Sequence, residues 1–225
     1  MNLLIANVVV LLAMMLLGDK ITHDVHVPGS SVIFLGDNPF ALHNIDFRAV
    51  NLTLFRPWQL VTYMFMHADF SHLFFNMFSL WMFGRTLEME MGWKRFLIYY
   101  MICGVGAALF QMGIAQIDLA TLEVGSIAWG KYMGTSTVGA SGAIFGLLLA
   151  FGMLHPNAMI SLIFPPITLK AKWFVVIYGV LELFLGVSGT MSGVAHFAHL
   201  GGMFWGWLLL LWWRHRDRKR NIFYY

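Results

Sequence analysis

The chain has 225 residues, of which 59% are hydrophobic and only 11% are charged, and its formal net charge is +3. Because a soluble domain carries about 25% charged residues, this composition excludes an ordinary soluble enzyme and indicates a protein whose apolar surface faces lipid. The single cysteine, Cys103, excludes an internal disulfide. The C-terminal basic cluster is more typical of a membrane anchor than of a nucleic-acid site, and it comprises Arg214, Arg216, Arg218, Lys219 and Arg220.

Six apolar segments follow one another along the chain and are predicted as membrane helices, each of which needs about 20 residues. The first, residues 2–17, lacks a basic n-region and an A-x-A site before Gly18, so we expect an uncleaved helix rather than a signal peptide. A long polar stretch, residues 18–70, is predicted as a loop. The other helices are predicted at residues 71–90, 93–115, 138–155, 171–187 and 194–213. The sequence therefore predicts an all-α membrane protein in which residues 1–225 form a single domain.

The basic residues indicate how such a six-helix bundle is oriented. With an even number of spans, ten basic residues fall on the side of both termini: Arg85, Lys94, Arg95, Lys170, Lys172 and the C-terminal five. The four others fall on the opposite side and are Lys20, Arg48, Arg56 and Lys131. Cytoplasmic loops of membrane proteins carry the excess of Lys and Arg. We therefore expect both termini to be cytoplasmic and the loop at residues 18–70 to face outward.

The first polar motif is the run Gly139-Ala-Ser-Gly-Ala-Ile-Phe-Gly146, which places Ser141 at the start of the fourth helix. Backbone N–H groups at a helix start lack acceptors within the helix, and such donors can stabilise the oxyanion that forms when a serine attacks a carbonyl. Gly142 and Gly146 lie on one face and allow close packing. Taken alone, the motif is more typical of a packing face in which Ser141 bonds a carbonyl.

The second motif is Ala198-His-Leu-Gly-Gly-Met-Phe-Trp-Gly206 on the sixth helix. His199, Gly202 and Gly206 share one stripe of the helix, with the histidine at its outer end. If this stripe packs on the glycines of the fourth helix, the imidazole comes within hydrogen-bond reach of Ser141, as a general base requires. The alternative is a buried histidine bonded to a neighbouring carbonyl.

The third motif, His72-Leu-Phe-Phe-Asn76, places an imidazole and a carboxamide on the same face of the second helix. Both side chains can donate hydrogen bonds to one developing negative charge, and removal of one such donor typically costs about 10²–10³ in rate. The alternative role is to join helices by hydrogen bonds to a neighbouring backbone.

Together, in this order and on these helices, the three motifs resemble the signature of the rhomboid family of intramembrane serine proteases. The resemblance extends over roughly Trp58 to Trp213 and implies a six-transmembrane-helix rhomboid-like bundle. It implies a Ser-His dyad without a third acidic member, in which Ser141 is the nucleophile and His199 the base. It also implies an oxyanion hole of His72, Asn76 and the Ser141 backbone N–H, with Gly139, Gly142, Phe145 and Gly202 in supporting positions. No metal and no cofactor is implied.

The resemblance further implies substrates that are transmembrane segments of other proteins, cleaved within or beside the lipid bilayer. A compact six-helix form suggests a bacterial inner membrane. The chain departs from the family pattern at Phe145, where a tyrosine is common, and at Gln59, where arginine often follows Trp58. Neither change removes a group that transfers a proton. The roles of His67, Glu182 and His196 stay open, as do the oligomeric state and the natural substrate.

Two other classes of protein are weighed against a protease. One is a catalytically inactive rhomboid-like protein that binds membrane clients, although such relatives typically lack one residue of the dyad. The other is a metal transporter using His67, His72, His196 and His199, which would need converging ligands with carboxylate or cysteine partners. A zinc intramembrane protease needs H-E-x-x-H, which is absent. An aspartyl protease needs two aspartates within the spans, where the sequence has none.

Overall fold

The computed structural model describes residues 2–21, 23–26, 33–49, 53–162, 166–189 and 195–219. The described part of the chain is mostly helical. It forms two compact units, the first made of Met1–Met77 with Ala108–Ala140 and the second of Phe78–Ala107 with Ser141–Tyr225. The continuous helices α3 (Phe70–Ser79) and α5 (Trp93–Ala120) each contribute residues to both units.

The first unit combines helices with short antiparallel strand pairs. Besides its parts of α3 and α5, it contains helices α1 (Asn2–Ile21), α2 (Gln59–Thr62), a 3₁₀ turn (Tyr63–Phe65) and α6 (Ile127–Met133). Strand β1 (His23–His26) pairs with β2 (Ile33–Asp37), and β3 (Leu42–His43) pairs with β4 (Ser136–Thr137). The predicted loop at residues 18–70 therefore contains regular elements, and its residues 22, 27–32 and 50–52 lie outside the described residues.

The core of the first unit surrounds the fully buried indole of Trp129 on α6. This helix begins after Ser126, whose Oγ accepts a hydrogen bond from the Trp129 N–H at 3.1 Å. A serine cap of this kind satisfies an N–H that the helix leaves without an acceptor. Trp129 packs in one apolar cluster with Ala49, Leu54, Leu119 and Met133. The helix therefore forms because its apolar residues are buried by the loop that precedes α2.

A buried carboxylate joins α6 to that loop. Asp46 accepts a hydrogen bond from Nε1 of Trp129 at 2.9 Å and forms an ion pair with Arg48, with Nη2 and Oδ2 2.7 Å apart. The guanidinium of Arg48 also donates to the carbonyl of Leu119. The hydrogen bonds from Arg48, followed by the one from Trp129, lower the pKa of Asp46 to about 2 against the effect of its burial. Asp46 is therefore ionised at neutral pH and fixes the loop on α6.

Gln59, at the start of α2, is fully buried and satisfies four backbone groups of the same loop. Its Oε1 accepts hydrogen bonds from the N–H groups of His43 at 3.3 Å and Arg56 at 3.1 Å. Its Nε2 donates to the carbonyls of Pro39 at 3.2 Å and Leu54 at 3.3 Å. Gln59, at the position where the rhomboid pattern often has arginine, thus holds this loop together through its four hydrogen bonds.

The second unit contains the helices on which the sequence places Ser141 and His199. Beside the other half of α5, it consists of a π-helical segment (Leu80–Gly84), helices α4 (Arg85–Met91), α7 (Ser141–Leu154), α8 (Ala171–Ser188) and α9 (His196–Lys219), and the antiparallel strands β5 (Met159–Ser161) and β6 (Thr168–Lys170). Residues 70–91 are helical throughout, with the wider π turn in the middle of the segment predicted as the second helix.

Helices α7 and α9 pack closely because glycines face each other across the contact. A Cβ atom on Gly202 would overlap the carbonyl group of Gly142, and one on Gly146 would overlap the side chain of Cys103 on α5. The carbonyl of Gly146 accepts a hydrogen bond from the buried Tyr99 hydroxyl at 2.9 Å. Small residues are what allow helix backbones to approach so closely in a membrane protein.

Among the described residues, helices α5 and α8 are long and apolar enough to cross a membrane by their length and composition. Two shorter apolar helices are formed by residues 2–17 of α1 and by α7. The surface of α8 is rich in exposed large side chains, including Trp173, Leu183, Phe184 and Val187. A helix with so much exposed apolar surface is suited to contact with lipid rather than water.

Candidate active site

Ser141 is the first residue of α7 and its side chain is half-buried. Two residues earlier, Gly139 has a φ of 121°, which residues with a side chain rarely adopt. The N–H of Gly139 donates to the carbonyl of Tyr63 at 2.9 Å, so the chain is fixed just before the serine. As the first residues of a helix, Ser141 and its successors have N–H groups without acceptors inside that helix.

His199 lies in the first turn of α9, buried, with its ring turned toward Ser141. Its Nε2 and the Oγ of Ser141 are 2.8 Å apart, which is hydrogen-bond distance. Gly142 directly follows Ser141 and Gly202 follows His199 by about one turn, so the close approach of the two glycines brings the two side chains within reach. The structure therefore brings together the serine and the histidine that the sequence predicts as nucleophile and base.

The aromatic ring of Phe145 covers the imidazole of His199. The two ring centroids are 4.2 Å apart and the ring planes differ by only 5°. Phe145 follows Ser141 by one turn of α7, so the serine and the stacking ring are carried by the same helix. The phenyl ring is sufficient for this stacked contact, which restrains the tilt of the imidazole.

Two side chains whose roles the sequence leaves open complete the cluster. Oε2 of Glu182, on α8, lies 2.7 Å from Nδ1 of His196 and 2.9 Å from Nδ1 of His199. The family resemblance implies no acidic partner for the base, yet this carboxylate touches the ring nitrogen that faces away from Ser141. The signals in the sequence are a lone carboxylate within an apolar helix, which is costly without a partner, and a second histidine three residues before His199.

Among the described residues of this unit, the same three side chains form a group that could hold a metal ion. Glu182, His196 and His199 are buried, and one ligand atom from each lies within 4.8 Å of the others. Two imidazoles and a carboxylate suit zinc. In the structure, however, the carboxylate oxygen is at hydrogen-bond distance from both rings, so a metal would have to displace these contacts.

His72 and Asn76, predicted as oxyanion donors, belong to the first unit together with Gly139. Asp69 caps α3, because its Oδ1 accepts a hydrogen bond from the His72 N–H at 2.7 Å. One turn later, Nδ2 of Asn76 donates to the carbonyl of His72 at 2.8 Å. The two side chains therefore occupy successive turns of one helix, as their spacing predicts. Their role toward an oxyanion stays a prediction.

The ring of His67 lies beside that of His72, with centroids 5.1 Å apart and the planes at 69°. Burial, and secondly the neighbouring His72, lower the pKa of His67 to about 4. The His67 ring is therefore neutral at pH 7. The contact holds the segment before α3 against the first turn of that helix.

Comparison with known proteins connects this geometry to a family. The rhomboid domain model matches residues 55–216. Over 149 residues the chain is 33% identical to mitochondrial rhomboid protein 1 of Saccharomyces cerevisiae, covering 64% of this chain and 40% of that protein. It is 30% identical over 183 residues to rhomboid protease AarA of Providencia stuartii, covering 73% and 63%. The putative rhomboid protease YdcA of Bacillus subtilis is 30% identical over 154 residues, covering 68% and 65%.

The chain spans less than two thirds of the length of each of these relatives. The matched residues nevertheless include most of this chain, and with them Ser141, His199, His72 and Asn76. The apolar helices α5 and α8 agree with a protein that resides in a membrane. The chain therefore belongs to the rhomboid family of integral membrane proteins.

Proposed function

We propose that this chain is a serine endopeptidase that cleaves transmembrane segments of other membrane proteins. Ser141 is the nucleophile and His199 is the general base. The observation that carries the proposal is the distance of 2.8 Å between Nε2 of His199 and Oγ of Ser141. A serine hydroxyl is a weak nucleophile unless an adjacent base accepts its proton, and this is the geometry of such a pair.

In the first half of the reaction, Nε2 of His199 accepts the hydroxyl proton while Oγ of Ser141 attacks the scissile carbonyl carbon. The tetrahedral intermediate carries its negative charge on the former carbonyl oxygen. When it collapses, the C–N bond breaks and the leaving amine takes the proton from Nε2. The product is an acyl-enzyme on Ser141. A water molecule then attacks the ester carbon, gives its proton to His199, and the carboxyl product leaves as Ser141 regains its proton.

The oxyanion of each tetrahedral intermediate needs donors that are already oriented. We assign this role to the Ser141 backbone N–H at the start of α7 and to the side chains of His72 and Asn76. The support is the common face of the two side chains on α3 and the unpaired N–H groups expected at any helix start. Gly139, Gly142 and Gly202 support the site by allowing the strained turn and the close helix contact around the serine.

The proposed topology is the six-span bundle with both termini in the cytoplasm, in which residues 1–225 act as one membrane domain. It is supported by the asymmetry of basic residues and by the helices at the predicted positions. Ser141, His199 and His72 then lie near the outward ends of their helices, a few ångströms below the outer surface, where water can enter. The proposed location is the bacterial inner membrane, which the predicted six-helix form suggests.

The proposed reaction is tested with the purified protein in detergent and a fluorescently labelled transmembrane substrate. We expect cleavage by the wild type, and none above background by Ser141→Ala or His199→Ala. A fluorophosphonate should form an adduct at Ser141 in the wild type alone, identified by peptide mass spectrometry. Cleavage that survives both substitutions would contradict the proposal.

The same assay separates proteolysis from the two alternatives. An inactive client-binding protein would bind the substrate without cleaving it and would not react with the fluorophosphonate. A metal transporter is the class that the cluster of Glu182, His196 and His199 could serve. For a protease that uses a serine and a histidine, we expect a chelator such as EDTA to leave the cleavage rate unchanged. Dependence of transport or cleavage on added Zn²⁺ would favour the metal alternative.

A further inference from the structure

The carboxylate of Glu182 is buried within α8, where it is 9% exposed and the residues on either side of it, from Trp173 to Val187, carry no other charge. A carboxylate at such a position is costly unless charged or hydrogen-bonded groups surround it. Its surroundings are the two histidines of the first turn of α9, His196 and His199. Because burial of the Glu182 carboxylate is costly, its position beside these histidines suggests that it acts on His199.

We propose that Glu182 is a positioning residue for His199, held in place by His196, so that the site works as a Ser141–His199–Glu182 relay; this rests on the proposed function. Oε2 of Glu182 lies 2.9 Å from Nδ1 of His199. The other ring nitrogen, Nε2, lies 2.8 Å from Oγ of Ser141. The order of groups is that of an acid, a base and a nucleophile.

The first consequence of this arrangement concerns the tautomer of His199. An ionised carboxylate only accepts hydrogen bonds, so an imidazole nitrogen beside it is favoured as N–H. With the proton on Nδ1, Nε2 carries a lone pair directed at Ser141. This is the tautomer that can accept the serine proton. Glu182 therefore selects the form of His199 that the reaction needs.

The second consequence concerns charge. When His199 accepts the serine proton it becomes an imidazolium, and the carboxylate 2.9 Å from Nδ1 stabilises that positive charge. The surroundings are buried, so water screens the interaction little. Because the charge exists in the intermediate and not in the resting ring, the interaction lowers the barrier rather than strengthening substrate binding.

The two histidines do not contact Glu182 in the same way. The contact with His196 is an aligned hydrogen bond of 2.7 Å, whereas Nδ1 of His199 approaches the same oxygen too obliquely for one. Nε2 of His196 is buried and has no hydrogen-bond partner within the part of the chain that the structure describes. His196 thus anchors the carboxylate, and the carboxylate acts on His199 mainly through its charge. We therefore expect a smaller effect than the roughly 10⁴-fold loss seen when an aligned triad loses its acid.

The test compares Glu182→Gln and Glu182→Asp with the wild type in the substrate-cleavage assay. Glutamine keeps the shape and removes the charge, so kcat should fall by at least about 10-fold with KM within about 2-fold. Aspartate keeps the charge at a greater distance, so the kcat of Glu182→Asp should lie between those of the wild type and Glu182→Gln. Glu90→Gln is the matched control, since Glu90 forms an exposed pair with His155, 2.8 Å apart, at the other end of α7. Its kcat should equal that of the wild type.

A spectroscopic readout separates positioning from a structural role. In protein labelled with ¹⁵N-histidine, the His199 signals, assigned by their loss in His199→Asn, should show a protonated Nδ1 and an unprotonated Nε2. In Glu182→Gln this pattern should be lost, because the amide can present an N–H to Nδ1. If Glu182→Gln lowers the yield of folded protein, the spectra and cleavage rates of Glu182→Asp test instead whether Glu182 positions His199.

A kcat of Glu182→Gln within about 2-fold of the wild type, or an unchanged tautomer pattern, would overturn the role of Glu182. The proposed protease activity would survive that result, provided that Ser141→Ala and His199→Ala are inactive. If those two variants still cleave the substrate, the proposed function itself fails, and the assignment of Glu182 fails with it.

Discussion

The phenyl ring of Phe145 is stacked on the imidazole of His199, with centroids 4.2 Å apart and an angle of 5° between the ring planes. Stacked aromatic pairs contribute about 0.5–1.5 kcal/mol beyond their buried area. We expect Phe145→Leu to lower kcat by roughly 2- to 12-fold, the range this energy corresponds to, because the imidazole gains freedom to tilt. Phe145→Tyr should retain the wild-type rate. Initial rates with the labelled substrate measure both.

A matched control is Phe151→Leu, on the same helix as Phe145. This substitution removes one ring of the edge-to-face pair that Phe151 forms with Phe83. This variant should lose thermal stability without a comparable loss of kcat. Equal kcat values for Phe145→Leu and the wild type would show that the stack does not restrain His199.

Gly202→Ala should disrupt the site by separating α9 from α7. The added methyl group would overlap the carbonyl of Gly142, and relief of the overlap must move one backbone away from the other. Overpacking of this kind costs about 1–3 kcal/mol. A displacement of 1 Å at a catalytic pair can cost about 10²-fold in rate. We therefore expect a lower melting temperature in detergent and a loss of cleavage of about that size.

Gly113→Ala provides the matched glycine substitution for this experiment. Gly113 lies on an exposed face of α5, and a Cβ there would meet nothing within 4 Å. Alanine favours the helix over glycine by about 1 kcal/mol, so this variant should be at least as stable as the wild type and equally active. A stable, fully active Gly202→Ala would contradict the close contact of α7 and α9.

Gln59→Ala should destabilise the loop of the first unit. The substitution removes a partner of four backbone groups, those of Pro39, His43, Leu54 and Arg56, and the bonds to His43 and Leu54 are buried. Leaving buried groups without a partner costs about 1–3 kcal/mol each, although a loop that admits water recovers part of this. Thermal unfolding in detergent measures the change. The neighbouring Trp58→Phe should cost less, since it removes only the hydrogen bond from the exposed indole to the carbonyl of Pro39 at 3.1 Å, which Gln59 also satisfies.

The lowered pKa of Asp46 predicts how the stability of the fold changes with pH in the acid range. Its pKa is lowered from an ordinary value of 3.8 to about 2, chiefly by hydrogen bonds from Arg48. Because the folded pKa is the lower one, the stabilisation is complete above about pH 4 and is lost as the pH falls toward 2. Asp46→Asn should therefore be less stable than the wild type at pH 7, with a difference that shrinks between pH 4 and pH 2. A difference that is constant over this range would contradict the ion pair.

The close approach of Ser141 and His199 could be predicted from the sequence because its signals are local to each helix. A glycine-flanked serine at a helix start and a histidine on a glycine stripe need only one packing contact to meet, and Gly142 against Gly202 supplies it. Glu182 could not be placed in the same way. Helical periodicity shows which residues share a face of α8, but only the packing of α8 on α9 decides what that face meets.

The first unit shows where the sequence says less. The stretch from residue 116 to 137 lies between two of the predicted helices, yet α5 continues to Ala120 and α6 occupies Ile127–Met133. The cap at Ser126 is a local signal for α6, but the helix has only two turns. It depends on burial of Trp129 against Ala49 and Leu54, residues distant in sequence that no periodicity connects.

Reaction of the protein with a fluorophosphonate, followed by identification of the modified peptide, tests the central claim most directly. It requires no knowledge of the natural substrate. We predict an adduct at Ser141 in the wild type, its absence in Ser141→Ala, and a rate of formation reduced to the level of a free serine in His199→Ala. An unreactive Ser141 in folded wild-type protein, or an equal rate of modification in His199→Ala, would contradict the assignment of Ser141 and His199 as nucleophile and base.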